Sequence, residues 1–221
     1  MGRLGTILGS SVAAADGASI VEAAGRHGAV LQRHGDAGAY RLPHRIDHEA
    51  NLRRLVAQGC DRVLAICSVG SLKPEIAVGA FVCPHDFIAL QVTVTTFDDV
   101  RGHATAGFDA EWRSRVLDAW PKDPSELRDG GVYWQTSGPR FETPAEIGLI
   151  AAHADLVGMT LAAECIVAGE QGLPYAAVCV VDNLANGIGA APLAPAELQR
   201  DREANAARLR DALAIALPEL A

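Results

Sequence analysis

The residues of this chain best suited to chemistry stand on loops that leave short apolar runs. The most informative stretch is GVYWQTSGPRFETPAE at 131–146. There a strand-like segment gives way to Ser-Gly-Pro and then to Arg140, Phe141 and Glu142. An aromatic ring beside a carboxylate suits a flat heterocycle, because the ring stacks on its face and the carboxylate accepts from its N–H groups. A second signal is Asp182-Asn183 at the end of 174–181, the most apolar run in the chain. An amide there can both donate to and accept from a heterocycle.

Another group has the types that hold an oxyanion. Ser10 lies in Gly9-Ser10-Ser11 after the apolar run 3–8, and Ser68 opens a second glycine–serine turn, 68–72, after the run 62–67. Arg33, followed by His34 and Gly35, offers a guanidinium fork for phosphate or carboxylate. Thr160 offers a hydroxyl together with a helix N-terminus. Taken singly, a glycine turn after a strand is usually only a turn, and an arginine at a strand end is as often a solvated charge. Two such turns together with Arg33 describe one anion site. Neither turn has the spacing of a dinucleotide-binding or P-loop motif, which disfavours those ligands. His44 and His48 stand four apart, but no third ligand accompanies them and Asp47 and Glu49 read as a polar helix start, so no metal is expected.

These groups need elements to place them. A strand at 132–136 precedes a helix opened by Thr143 with Pro144 at its first position, where the hydroxyl caps backbone amides and the missing proline N–H costs nothing. Helices are also expected at about 46–58, 111–120, 161–171 and 195–217. Strands are expected at 62–67, 80–83, 87–95, 155–158 and 174–181, with a polar irregular loop at 96–108. Alternation of this kind predicts an α/β protein, and in an open α/β sheet ligands bind on loops that leave the strands.

At 221 residues, a single domain over 1–221 is the favoured organisation. A formal net charge of -8 and a pI of about 5.3 argue against nucleic acid or an anionic membrane as partner. No apolar run approaches a membrane span, and residues 1–8 lack the shape of a signal peptide. The five cysteines, at 60, 67, 83, 165 and 179, include no CxxC pair. They read as reduced thiols of a cytoplasmic protein.

Taken together, the segments 131–147 (GVYWQTSGPRFETPAEI), 154–187 (ADLVGMTLAAECIVAGEQGLPYAAVCVVDNLANG) and 43–72 (PHRIDHEANLRRLVAQGCDRVLAICSVGSL) resemble the trimeric purine nucleoside phosphorylase and methylthioadenosine phosphorylase family. ILGSS at 7–11 is consistent with it. The resemblance implies a mixed central β-sheet flanked by helices, a homotrimer, and an enzyme, a pentosyltransferase. Such an enzyme cleaves a purine nucleoside with inorganic phosphate, giving free base and pentose 1-phosphate, and uses phosphate as co-substrate with no cofactor. Carried over by position, Ser10, Arg33, His34, the Cys67-Ser68 turn and Thr160 look like the phosphate site. Phe141 and Met159 look like the walls around base and sugar, with Met159 near the ribose hydroxyls. Glu142 and Asn183 look like the base-recognition pair, and with Arg33 they are the implied catalytic residues.

An amide at the base edge tolerates a 6-oxo group, whereas a carboxylate there favours a 6-amino group. In the family's 6-aminopurine members an Asp holds the position aligned to Asn183, with another acid two residues later, where this chain has Ala185. A 6-oxopurine such as hypoxanthine or guanine is therefore favoured, although a slip of one residue would make Asp182 the reader and favour adenine. Of three departures from the family, two bear on the sugar and one, at Cys67, on the second phosphate turn. Asp36-Ala37-Gly38-Ala39 precedes Tyr40 where a His or Tyr is expected sooner, Cys67 replaces a frequent threonine, and the 96–108 loop is short. His103 is the candidate in that loop for reaching a neighbouring subunit's sugar pocket. Open alternatives are a 6-aminopurine-preferring methylthioadenosine phosphorylase, a hydrolytic nucleosidase and a non-catalytic purine-binding homologue.

Overall fold

A computed structural model describes residues 2–10, 17–35, 40–123, 126–189 and 195–221. Ser11 and the 36–39 insertion lie outside the described residues. The chain runs β1 (Arg3–Leu8), α1 (Gly17–His27), β2 (Gly28–Gln32), α2 (His48–Ala57), β3 (Cys60–Ser71), β4 (Phe81–Cys83) and β5 (Asp86–Ile88). It continues through α3 (Ala110–Ala119), β6 (Leu127–Asp129), β7 (Val132–Gln135), α4 (Pro144–Ile150), β8 (Leu156–Gly158), α5 (Leu161–Glu170), β9 (Tyr175–Leu184) and α6 (Pro195–Leu220). The strands form one mixed sheet in the order β5-β7-β8-β3-β9-β4-β6, with β1 joined to β3 and β2 joined to β1. The expected α/β architecture with a mixed central sheet is the one observed.

β3 organises that sheet. It pairs in parallel with β1 and with β9 along most of its length, then with antiparallel β8 through Gly70 and Ser71. Side chains on a strand alternate between faces, and β3 uses both. Val63, Ala65, Cys67 and Val69 pack into the core that holds α2 and α5. Leu64 and Ile66 pack into the opposite core, which holds α1, α3 and α6. A strand buried on both sides has no polar face, which is why this segment reads as a continuous apolar run.

Several boundaries differ from expectation for physical reasons. The glycine–serine segment after 62–67 is not a turn but the end of β3, held extended by β8 and by a register irregularity against β9 between Val69 and Gly70. The strand expected at 87–95 covers only Asp86–Ile88. His44 and His48 do not share a helix: His44 lies in the 3₁₀ turn Pro43–Arg45, and His48 begins α2 behind the Asp47 cap. Thr143 caps α4 as expected, with Glu146 returning a bond to the Thr143 N–H to complete a capping box.

Candidate active site

Arg33 follows β2, and its backbone N–H donates to Leu8 O at 3.1 Å, while Gly9 N–H donates to Ile66 O at 3.0 Å. These bonds bring the ends of β1, β2 and β3 together. Gly9 is required by the crowding: a Cβ there would lie 2.2 Å from Arg33 Nη1 and 2.9 Å from Ile66 O. The Arg33 guanidinium is buried and densely bonded. Nε donates to Glu164 Oε1 at 2.6 Å, Nη2 to Glu164 Oε2 at 3.0 Å and to Cys67 Sγ at 3.3 Å, and Nη1 to Ile66 O at 2.9 Å. Burial works against both charges, but the mutual attraction and bonding outweigh it. Glu164 is held below the usual carboxylate range and Arg33 well above its ordinary value, so the pair is ionised.

Ser10, His34, Ser68 and Thr160 line the cavity into which Arg33 faces. Burial pushes the His34 imidazole below its ordinary pKa, so it is neutral near pH 7. Thr160 is the N-cap of α5, but its hydroxyl makes no capping bond. Several amides of that helix start are already used: Thr160 and Leu161 N–H donate to Tyr133 Oη, and Ala163 N–H to Gln135 Oε1. Thr160 thus brings its hydroxyl to the cavity, beside a helix start whose amides are partly engaged elsewhere. Cys67 is corrected too. It is fully buried, does not line the cavity, and touches the site only through Arg33, with burial pushing its thiol up to about 12.

The same cavity, of about 210 Å³, is also lined by Phe141, Glu142, Met159 and Asn183. Glu142 is half-buried and positioned by Thr136, whose hydroxyl donates to Oε1 at 2.6 Å, and by Asn186, whose amide donates to the Glu142 carbonyl at 2.9 Å. Phe141 is 49% exposed, with its ring available for stacking. Met159 packs against Gly138, which has φ of +61°, and a Cβ there would lie 2.6 Å from the Met159 sulfur. Asn183 spends one amide hydrogen on Leu184 O at 2.8 Å. An amide carries a second hydrogen and a carbonyl besides.

The neighbouring residue resolves the register. Asp182 is fully buried and takes hydrogen bonds from Ser68 Oγ and from Asn205 Nδ2, so Asn183 and not Asp182 meets the cavity. His103 lies on the exposed 3₁₀ turn Val100–His103 and does not line the cavity of its own chain. Any sugar contact from it would be made in a neighbouring subunit. Two side chains that meet this site, Glu164 through Arg33 and Arg202 in the cavity lining, escape sequence reasoning. Glu164 reads as one acid in an apolar helix, and Arg202 on α6 reads as a solvated charge on an amphipathic face. No local pattern links either to the loops around Arg33 and Ser68.

Residues 14–218 match the family model described as the Phosphorylase superfamily. A probable 6-oxopurine nucleoside phosphorylase of Archaeoglobus fulgidus is 44% identical over 161 residues, covering 72% of this chain and 66% of that protein. One of Moorella thermoacetica is 36% identical over 213 residues, covering 91% of this chain and 82% of that protein. A probable S-methyl-5'-thioinosine phosphorylase of Methanothermobacter thermautotrophicus is 36% identical over 178 residues, covering 79% and 62%. A solved structure of methylthioadenosine phosphorylase from Schistosoma mansoni with adenine superposes with a TM-score of 0.80 at 22% identity, over 99% of this chain and 91% of that one. At that identity the likeness concerns the fold. With the family model spanning nearly the whole chain and relatives above 30% identity along most of it, the chain belongs to the Phosphorylase superfamily.

Proposed function

We propose that the chain catalyses phosphorolysis of a 6-oxopurine nucleoside, 5'-modified nucleosides included, to the free base and a pentose 1-phosphate. The observation that carries this is one cavity lined both by Arg33, Ser10 and Thr160 and by Glu142, Phe141 and Asn183. The sugar of the substrate lies between the two groups. A phosphate oxygen forms its bond to the anomeric carbon as the bond to the purine nitrogen breaks, and the electron pair leaves with the base. The transition state places positive charge on the sugar and negative charge on the ring. Phosphate held by the guanidinium and hydroxyls supports the first, and the remaining Asn183 N–H supports the second at the ring's N7 edge. Glu142 accepts from the N1–H of a 6-oxopurine and orients it.

The names of the relatives, 6-oxopurine and methylthioinosine phosphorylases, support a 6-oxo base. So do the buried Asp182 and the alanine at 185, which leave no second acid beside Asn183 in the positions used by 6-aminopurine enzymes. The same reading takes 1–221 as one domain in a cytoplasmic homotrimer, with inorganic phosphate as co-substrate and no cofactor. Five free, buried cysteines suit a reducing compartment. Among the described residues, no helix is long and apolar enough to cross a membrane. The test is to incubate the protein with inosine, guanosine, adenosine, methylthioadenosine and methylthioinosine, with and without phosphate, and to identify products. Phosphate-dependent release of hypoxanthine or guanine is expected. Base release at the same rate without phosphate would point to hydrolysis and overturn the reading.

A further inference from the structure

The oxyanion end of the cavity contains a charge imbalance. Inorganic phosphate near neutral pH carries between one and two negative charges, as phosphate monoesters do. The Arg33 charge is matched by Glu164 at 2.6 Å, and His34 is neutral, so neither supplies a net positive charge to the ligand. Arg202 of α6 lines the same cavity.

Its contacts are long. Nη2 stands 3.4 Å from Ser68 Oγ, and the buried Nε makes no hydrogen bond, lying 3.5 Å from Asp182 Oδ2. Asp182 has closer partners than Arg202. Its Oδ2 already accepts from the Ser68 hydroxyl and its Oδ1 accepts from Asn205 Nδ2 at 2.9 Å. The Arg202 side chain is 24% exposed, whereas that of Arg33 is 1% exposed, so the Arg202 head can adjust towards a ligand where the Arg33 head is locked.

We propose that Arg202 is a second guanidinium ligand of the oxyanion, held at the Ser68 end of the cavity by Asp182. Arg33 then acts as a rigid, tightly compensated donor that sets geometry, and Arg202, paired more loosely at 3.5 Å and partly exposed, brings the more available charge. The identity of the oxyanion as phosphate rests on the phosphorolysis reading above.

Binding of inorganic phosphate to the full chain, followed by titration calorimetry, tests this without requiring turnover. Arg202→Gln is expected to weaken phosphate binding roughly tenfold or more, the scale of one charge-assisted contact. Arg202→Lys should restore part of that loss, and it carries the test if the glutamine variant does not fold. In steady-state assays the loss should fall on the KM for phosphate, with the KM for nucleoside nearly unchanged. A purely structural Arg202 would serve only to neutralise Asp182, and then Asp182→Asn would suppress the defect. The proposal requires instead that the double variant Asp182→Asn/Arg202→Gln bind phosphate as poorly as Arg202→Gln alone. Unchanged phosphate affinity in Arg202→Gln, rescue by Asp182→Asn, or a loss confined to nucleoside would each overturn it. A wild-type protein that binds phosphate in an Arg202-dependent way but releases no base would sink the phosphorolysis reading and leave this one standing.

Discussion

Arg33 and Glu164, 131 residues apart in sequence, form a two-point ion pair whose partners are both closed to solvent. The pair ties the turn after β2 to the first turn of α5, and Tyr175 of β9 adds a third anchor by donating its hydroxyl to Glu164 Oε2 at 2.8 Å. Removing one partner of a buried pair strands the other charge, at a cost of about 3–5 kcal/mol. Glu164→Gln is therefore expected to lower the thermal midpoint by some 2–4 °C for each of those kcal/mol in a chain of this size. Arg33→Lys should also lose stability, because an ammonium cannot reproduce the two parallel bonds. Paired thermal and urea unfolding curves check both, and a Glu164→Gln protein as stable as the parent would refute the account.

Asn183 carries the leaving-group contact in the proposed reaction. Its truncation to alanine should cut kcat by about 10²–10³, the usual effect of losing one such donor, with a smaller change in the KM for phosphate. Asn183→Asp should move preference from inosine towards adenosine, since a carboxylate at that edge suits a 6-amino group. Competing the two nucleosides in one assay reads the shift directly, and an unchanged ratio would remove Asn183 from base selection.

Acidification should destabilise the fold in two steps. Burial holds His34 and His48 below the ordinary histidine value of 6.5, with the Arg33 charge acting in the same direction on both. The unfolded chain thus binds protons that the folded chain refuses, and stability falls as pH drops below about 6.5. Glu164, held below the ordinary value of 4.5, adds a further loss as pH falls through its folded pKa. Asp182 runs with the opposite sign, because burial raises its pKa and the stability linked to its protonation is lost as pH rises. Thermal midpoints between about pH 8 and pH 5 should decline on the acid side, and replacing His48 with glutamine should flatten the first step.

What the sequence made legible was local. The cap at Thr143, the apolar strands, the loops bearing Ser10, Arg33 and Glu142, and the strand end bearing Asn183 each announce themselves through neighbouring residues. What it hid was long-range. Nothing near position 164 signals that its carboxylate will meet a guanidinium from position 33, because that meeting is created by β3 lying between β1 and β9. The end of β3 was hidden for the same reason. Gly70 and Ser71 are turn-forming by type, and only the antiparallel partner β8 keeps them extended. Asp182 and Asn183 were both visible, but which one faces the cavity is fixed by Ser68 and Asn205, which are far away in sequence.

The cysteines should be chemically silent. All five are free and buried. Burial raises Cys67 and Cys165 to about 12 and Cys83 to about 11, and it raises Cys60 and Cys179 as well. Reaction requires the thiolate. A disulfide reagent at pH 8 should therefore label the native protein negligibly and label all five thiols once it is unfolded. Prompt labelling of a native thiol would contradict the burial described.

Gly9 links stability to the oxyanion end of the cavity. Its N–H completes the junction with β3 through Ile66 O, and the absence of a side chain lets Arg33 Nη1 reach that same carbonyl. The added methyl of Gly9→Ala would overlap Nη1, at 2.2 Å, and crowd Ile66 O, at 2.9 Å. The guanidinium cannot move away cheaply, because Glu164 holds it on its other edge. Overpacking of this kind costs about 1–3 kcal/mol. Part of that cost should appear as a rotated guanidinium and a weaker phosphate site, and not only as lost stability. Gly9→Ala is thus expected to fold with a lowered midpoint and a raised KM for phosphate, while the KM for nucleoside stays close to that of the parent. Equal increases in both KM values would mean that the strain spreads beyond Arg33, contrary to the rigid clamp inferred from its pairing with Glu164.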